Sequence, residues 1–153
     1  MTANEVVEVL RIRHPAREWA FFAELRCGTG ISNCMADVDR GWESWNNEQR
    51  IDAYALNLWP SKGLLRIAYE VKVSRSDFLA ELKQPEKRQQ AMELSNEFYF
   101  AAPAGLIDKR ELPEDCGLLE VWPEGKHRIK RKARFRAVGL PPLVFVAAMA
   151  RRA

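Results

Sequence analysis

Two apolar, extended runs joined by a five-residue turn constrain this chain more than any other feature. Ile51–Leu58 leads through Trp59-Pro60-Ser61-Lys62-Gly63 into Leu64–Val73. Runs rich in Ile, Tyr, Leu and Val, bounded by Pro and Gly, read as strands of a β-hairpin. Ser74-Arg75-Ser76-Asp77 then has the pattern of a capping box, and Phe78, Leu79 and Leu82 define a helical face that ends at Pro85. A second helical run, 86–96, precedes two short apolar runs, Phe98–Ala102 and Gly117–Trp122, which read as buried strands. A hairpin, helices and further strands in this order predict an α/β fold with a central sheet flanked by helices.

The ends of the chain are helical by pattern. Thr2 with Glu5 resembles a capping box, and Val6, Val7 and Leu10 give a short apolar face. After Pro15, residues 16–26 read as a second helix with Trp19, Phe22 and Ala23 on one side, closed by Cys27-Gly28-Thr29-Gly30. Ile31–Arg50 reads as a polar loop carrying Trp42 and Trp45. Pro141-Pro142 leads into a last helix, Leu143–Arg152, with basic residues in its final turn, as the helix dipole favours.

The 153 residues, 47% of them apolar, suit a single domain, 1–153, with its core at about 15–123. No apolar run is long enough to span a bilayer, and the N-terminus lacks the pattern of a secretory signal, so a cytoplasmic location is expected. Cys27, Cys34 and Cys116 match neither a zinc knuckle nor a redox pair and read as reduced thiols. His14 and His127 stand far apart in the sequence, which disfavours an imidazole metal site or a Ser-His-Asp triad. Any metal should be hard and bound by carboxylates.

Net charge is only +3, yet residues 126–136 hold seven bases (Lys126, Arg128, Lys130, Arg131, Lys132, Arg134, Arg136) and no acid. Seventeen bases against twenty-one acids remain elsewhere, so charge is segregated. Alternation in this segment predicts Arg128, Lys130, Lys132, Arg134 and Arg136 on one face of a ribbon, with Ile129, Ala133 and Phe135 beneath. Such a face neutralises phosphates; the plainer reading is an edge strand guarded by charge.

Chemistry concentrates in the hairpin. Glu70 and Lys72 lie two apart on a strand, so their side chains share a face, roughly 6–7 Å apart. If the turn is symmetric about Ser61, paired residue numbers sum to 122 and Asp52 stands opposite Glu70. Two carboxylates at that range repel unless a cation lies between them. Mg²⁺ takes oxygen ligands of this kind, completed by water and phosphate oxygens, with Mn²⁺ as a substitute. Glu-x-Lys on a strand is common by chance; here it sits among Ile67, Ala68, Tyr69, Val71 and Val73, where charges need a reason.

An Asp early in a hairpin, Glu-x-Lys on its second strand, then a helix and another strand, is similar to the PD-(D/E)XK nuclease superfamily. Arg50-Ile51-Asp52-Ala53, the string Glu70-Val71-Lys72-Val73-Ser74-Arg75-Ser76-Asp77-Phe78 and Gly117-Leu118-Leu119-Glu120-Val121 resemble small bacterial and phage proteins related to MmcB-like DNA-repair nucleases. The resemblance spans about residues 19–121. It implies a restriction-endonuclease-like αβββαβ core and Mg²⁺-dependent cleavage of DNA, with Asp52 and Glu70 as metal ligands and Lys72 acting on the attacking water or the transition state.

The resemblance also implies an acid on the first helix that joins the metal site: Glu24, with Glu18 as the rival. Lys87 or Gln90 would touch phosphate, beside the ribbon bases 128, 130, 132, 134 and 136. Ile51 replaces the proline that names the motif, and 31–45 is an insertion. Cutting both strands would ordinarily require a homodimer with two-fold symmetry. The alternative is a DNA-binding or scaffolding module that keeps the fold without catalysis.

Overall fold

A computed structural model of the chain describes residues 1–27 and 49–153. The expected loop carrying Trp42 and Trp45, the Gly28-Thr29-Gly30 turn and Cys34 lie outside the described residues. The elements are α1 (Ala3–Arg13), β1 (Trp19–Arg26), β2 (Arg50–Asn57), β3 (Arg66–Val71), α2 (Arg75–Leu82), α3 (Glu86–Glu93), β4 (Glu97–Pro103), β5 (Cys116–Val121), β6 (His127–Arg131) and α4 (Leu143–Arg152).

The strands form one six-stranded mixed sheet in chain order. β1, β2 and β3 pair antiparallel, β4 and β5 run parallel to β3, and β6 returns antiparallel. Parallel β3 and β4 require a crossover, supplied by α2 and α3. The hairpin register is the expected one: Ala53 pairs with Tyr69, Tyr54 with Ala68 and Ala55 with Ile67. A three-residue helical turn at Pro60–Lys62 closes it, and Gly63 takes the left-handed conformation (φ 73°) that a side chain resists.

Two clusters of buried side chains sit on opposite faces of the sheet. On one, Val6, Val9 and Leu10 of α1 cover Ala53, Tyr69, Tyr99 and Leu119. On the other, Phe78 of α2, Ala91 of α3 and Phe145 and Met149 of α4 cover Phe22, Tyr54, Phe98, Phe100 and Leu118. Each large apolar side chain buried here contributes roughly 1.5–3 kcal/mol relative to exposure. Thr2 and Glu5 form the reciprocal cap of α1, and Ser74 Oγ accepts the Asp77 N–H at the start of α2. Among the described residues no helix is long and apolar enough to cross a membrane.

Two expectations change. The helix over 16–26 is instead β1, an edge strand. Trp19, Phe22 and Ala23 do recur at helical spacing, but Phe21 packs towards the α1 cluster and Phe22 belongs to the opposite one, the alternation of a strand. Aromatic residues also favour a pleated surface. The ribbon over 128–136 is regular only to Arg131, and a register irregularity at Leu118/Leu119 interrupts its pairing with β5. Ala133 is buried, as expected of the apolar side, whereas Phe135 is 61% exposed.

Candidate functional site

The pairing between β2 and β3 stops at Ala53 and Tyr69, one step before the position where Asp52 faces Glu70. Beyond it the strands are joined by a side chain: the Val71 N–H donates to Asp52 Oδ2 at 2.8 Å. On the far side, Ala23 pairs with Ala53 and Leu25 with Ile51, which places Glu24 opposite Asp52 on β1. Glu24 has φ 50°, uncommon for any residue but glycine. At this kink the guanidinium of Arg152, at the end of α4, donates to the carbonyls of Ala23 (2.7 Å) and Glu24 (3.3 Å).

Lys72 follows β3 directly, its N–H bonded to the Ala101 carbonyl of β4. Its ammonium contacts Glu70 Oε1 at 3.0 Å and Glu81 Oε2 at 3.4 Å. Glu81, on the inner side of α2, is buried and in turn holds Arg88, which donates to its carbonyl at 3.2 Å and lies 3.9 Å from its carboxylate. Sequence reading missed Glu81. The signal was available: it stands three residues after buried Phe78, on the helix face that enters the core, where a carboxylate requires a partner.

The electrostatics follow from this crowding. Burial, then the negative charge of Asp52, pushes the Glu70 carboxyl up to about 7, against the pull of Lys72. Burial also raises Asp52, with Glu81 and Glu24 adding to the effect and the Val71 N–H and Lys72 opposing it. Burial alone would lower Lys72, but Glu70 and Glu81 outweigh it and hold the ammonium above its usual range. Two carboxyls with raised proton affinity near one lysine form a site that a further positive charge would stabilise.

Asp52, Lys72, Glu24, Glu81 and Lys87 line a cleft of about 500 Å³ between α1 and α2. A second groove of similar size carries Glu70, Lys72, Glu81, Lys87 and Arg50. Of the expected trio, Lys72 lines both clefts, Asp52 the first and Glu70 the second, and Glu24 stands opposite Asp52 on a strand rather than a helix. Glu18 is not: it pairs with Lys62 at 2.9 Å, at the turn end of the hairpin. Lys87 is exposed and lines both clefts, whereas the Gln90 side chain is hydrogen-bonded to the buried thiol of Cys27. Burial raises the Cys27 and Cys116 thiols to about 11, in keeping with unreactive, reduced cysteines.

The basic segment is less available than its sequence suggests. Arg128 and Lys130 both approach buried Glu120 at 3.5 Å, Lys132 contacts buried Glu97 at 2.5 Å, and Arg134 approaches Asp115 at 3.5 Å. Arg136 donates to the Met92 carbonyl and to Ser95 Oγ. Lys132 lies over the Tyr99 ring, in the α1 cluster, so it does not continue the row of Arg128 and Lys130. His14 and His127, distant in sequence, line one cavity on the α1 side, where His14 Nε2 and Tyr69 Oη are 2.7 Å apart.

Among the described residues no three His, Cys, Asp or Glu side chains cluster as a ready metal cage. Two carboxylates with oxygens left over, completed by water and phosphate, still fit the way Mg²⁺ is held at phosphate-handling sites.

The molecule is therefore an α/β protein with a mixed six-stranded sheet, helices on both faces and a buried carboxylate-lysine cluster where β2 and β3 part. It resembles a solved structure, the SPO1766 protein of unknown function from Silicibacter pomeroyi, with a TM-score of 0.61 and 21% identity over 99% of this chain and 89% of that one. At that identity the likeness concerns the fold alone. No protein-family model and no curated protein sequence matches the chain.

Proposed function

We propose that the protein is a metal-dependent deoxyribonuclease of the PD-(D/E)XK kind, hydrolysing phosphodiester bonds in DNA repair, recombination or phage DNA processing. The observation that carries this reading is the placing of Asp52, Glu70 and Lys72 at the end of the β2–β3 hairpin: two carboxyls with raised proton affinity, of which Glu70 contacts the lysine while Asp52 acts on it through space and is held by the Val71 N–H. The order α1-β1-β2-β3-α2/α3-β4, with β4 parallel to β3, fits the restriction-endonuclease-like core.

Asp52 and Glu70 would hold Mg²⁺, or Mn²⁺ in its place. When bound, the ion would supply polarisation of the scissile phosphate and a lowered pKa for the attacking water. Asp52 is oriented by the Val71 N–H through one oxygen, which leaves the other for coordination. Lys72, kept charged by Glu70 and Glu81, is placed to orient the water or to offset negative charge gathering on the phosphorane. Glu81 and Arg88 act on Lys72 from behind, fixing where its ammonium lies.

Cleavage of supercoiled, linear, branched and single-stranded DNA with Mg²⁺ or Mn²⁺ tests the reading, with RNA as a further substrate. The wild type should cut at least one DNA form, and Asp52→Asn and Lys72→Ala should each be slower by about 10²-fold or more. Equal rates for all three proteins would overturn it.

A further inference from the structure

Beside the carboxylate cluster lies a second charged feature that the sequence reading did not single out. Arg26 and Arg50 are direct partners across the β1–β2 ladder. Opposed side chains on neighbouring strands have Cβ atoms about 4.5–5.5 Å apart, and like charges there destabilise the sheet. Among the described residues no carboxylate pairs with either arginine. The last turn of α4 adds Arg151 and Arg152, and the four arginines border one groove of about 460 Å³. Arg152 is held in place by the Ala23 and Glu24 carbonyls. A basic last turn suits the dipole of α4, but no such account covers Arg26 and Arg50.

The groove adjoins the proposed reaction centre on two sides. Ala23 and Glu24 line both it and the cleft of Asp52 and Lys72. Arg50 lines both it and the groove of Glu70, Lys72 and Lys87, and it stands two residues from Asp52 on the same strand, roughly 6–7 Å away.

We infer that Arg26, Arg50, Arg151 and Arg152 form a phosphate-binding track that holds the nucleic-acid backbone next to the bond to be cut. This rests on the nuclease reading and gives its site a substrate path. Guanidinium groups match phosphate oxygens in a bidentate manner. Among the described residues that line it none is aromatic, so these side chains position a backbone and do not read sequence. The anion also relieves the Arg26–Arg50 repulsion. The 126–136 segment is a weaker site, because four of its seven bases, Arg128, Lys130, Lys132 and Arg134, already face Glu120, Glu97 and Asp115.

The test measures binding without cleavage. Fluorescence anisotropy of labelled single-stranded and duplex DNA is followed against salt without divalent metal, in the Asp52→Asn background. Arg26→Gln/Arg50→Gln should weaken binding about tenfold and reduce the slope of log K against log salt by about two, given roughly 0.9 per phosphate contact for duplex and 0.7 for single strands. Arg128→Gln/Lys130→Gln should change that slope by less than half as much. Arg151→Gln, at an exposed helix end, gives an independent reading, with an expected change of about one. An unchanged slope in both groove variants, or a larger change in the 128/130 variant, would overturn the track. If no protein cuts DNA but the groove variants lose slope, the nuclease reading fails and the track stands. Cleavage that depends on Lys72 while the groove variants keep full slope and KM leaves the nuclease and removes the track.

Discussion

The two densest groupings of charge in this molecule behave in opposite ways. At the end of the β2–β3 hairpin, Asp52, Glu70, Lys72 and Glu81 are partly or wholly buried, and burial raises the proton affinity of Asp52 and Glu70 against the pull of Lys72. Along β6 and the segment after it, seven bases that dominate the sequence lie near the surface, and four of them face carboxylates from β4, β5 and the turn before β5. Burial makes unbalanced charge costly to keep, whereas in the basic segment the buried carboxylates Glu120 and Glu97 are each faced by bases that reach them from the surface. Chemistry is thus better sought where charge is few and crowded than where it is abundant and paired.

The largest effect should separate the two regions by activity. Lys72→Ala should cut DNA turnover by about 10²-fold or more, while Arg128→Gln/Lys130→Gln should leave turnover at saturating DNA within about threefold, both measured by single-turnover cleavage. Comparable losses would break the comparison. Next is a packing effect beneath the basic segment. A Cβ on Gly117 would sit 2.4 Å from the Tyr99 ring and 2.6 Å from the Ala133 backbone nitrogen. Gly117→Ala should therefore lower stability by about 1–3 kcal/mol in urea unfolding. That outcome would mean that the segment is seated by close backbone approach more than by ion pairs.

A third prediction concerns pH. Because the Glu70 carboxyl is raised to about 7 in the folded protein, it binds its proton more tightly than in the unfolded chain. Its stabilising contribution is full below about pH 4.5 and is lost as pH rises through about 7. Metal-free protein should accordingly lose a few degrees of Tm from this group between about pH 5 and 8. Glu70→Gln should flatten that loss, and Mg²⁺ at pH 8 should restore Tm in the wild type only. A parallel dependence in the Glu70→Gln protein would place the titrating group elsewhere. Smallest should be Arg134→Gln, whose pair with Asp115 is open to solvent: thermal melting should register no more than about 0.5 kcal/mol.

Local pattern carried the hairpin. Its turn is symmetric, so the pairing of Ala53 with Tyr69 follows from counting, and Asp52 falls opposite Glu70 by the same arithmetic. Thr2 and Glu5 marked the start of α1, and Pro141-Pro142 the start of α4. β1 was not legible, because Trp19–Ala23 is apolar at both helical and strand periods and only its partner β2 decides between them. Nor was Glu81, which gains meaning from Lys72 and Arg88 once α2 is packed on the sheet.

By itself, then, the sequence determined which short stretches are strands or helices where one period prevailed, and that Glu70 and Lys72 share a face, since both follow from geometry within a few residues. Tertiary structure alone decided the rest: that β3, β4 and β5 run parallel, that Glu24 stands on a strand opposite Asp52, that Arg26 meets Arg50, and that the basic segment is paired with acids. Each of these depends on contacts between residues far apart in the chain, and no local spacing encodes which distant partner a side chain will meet.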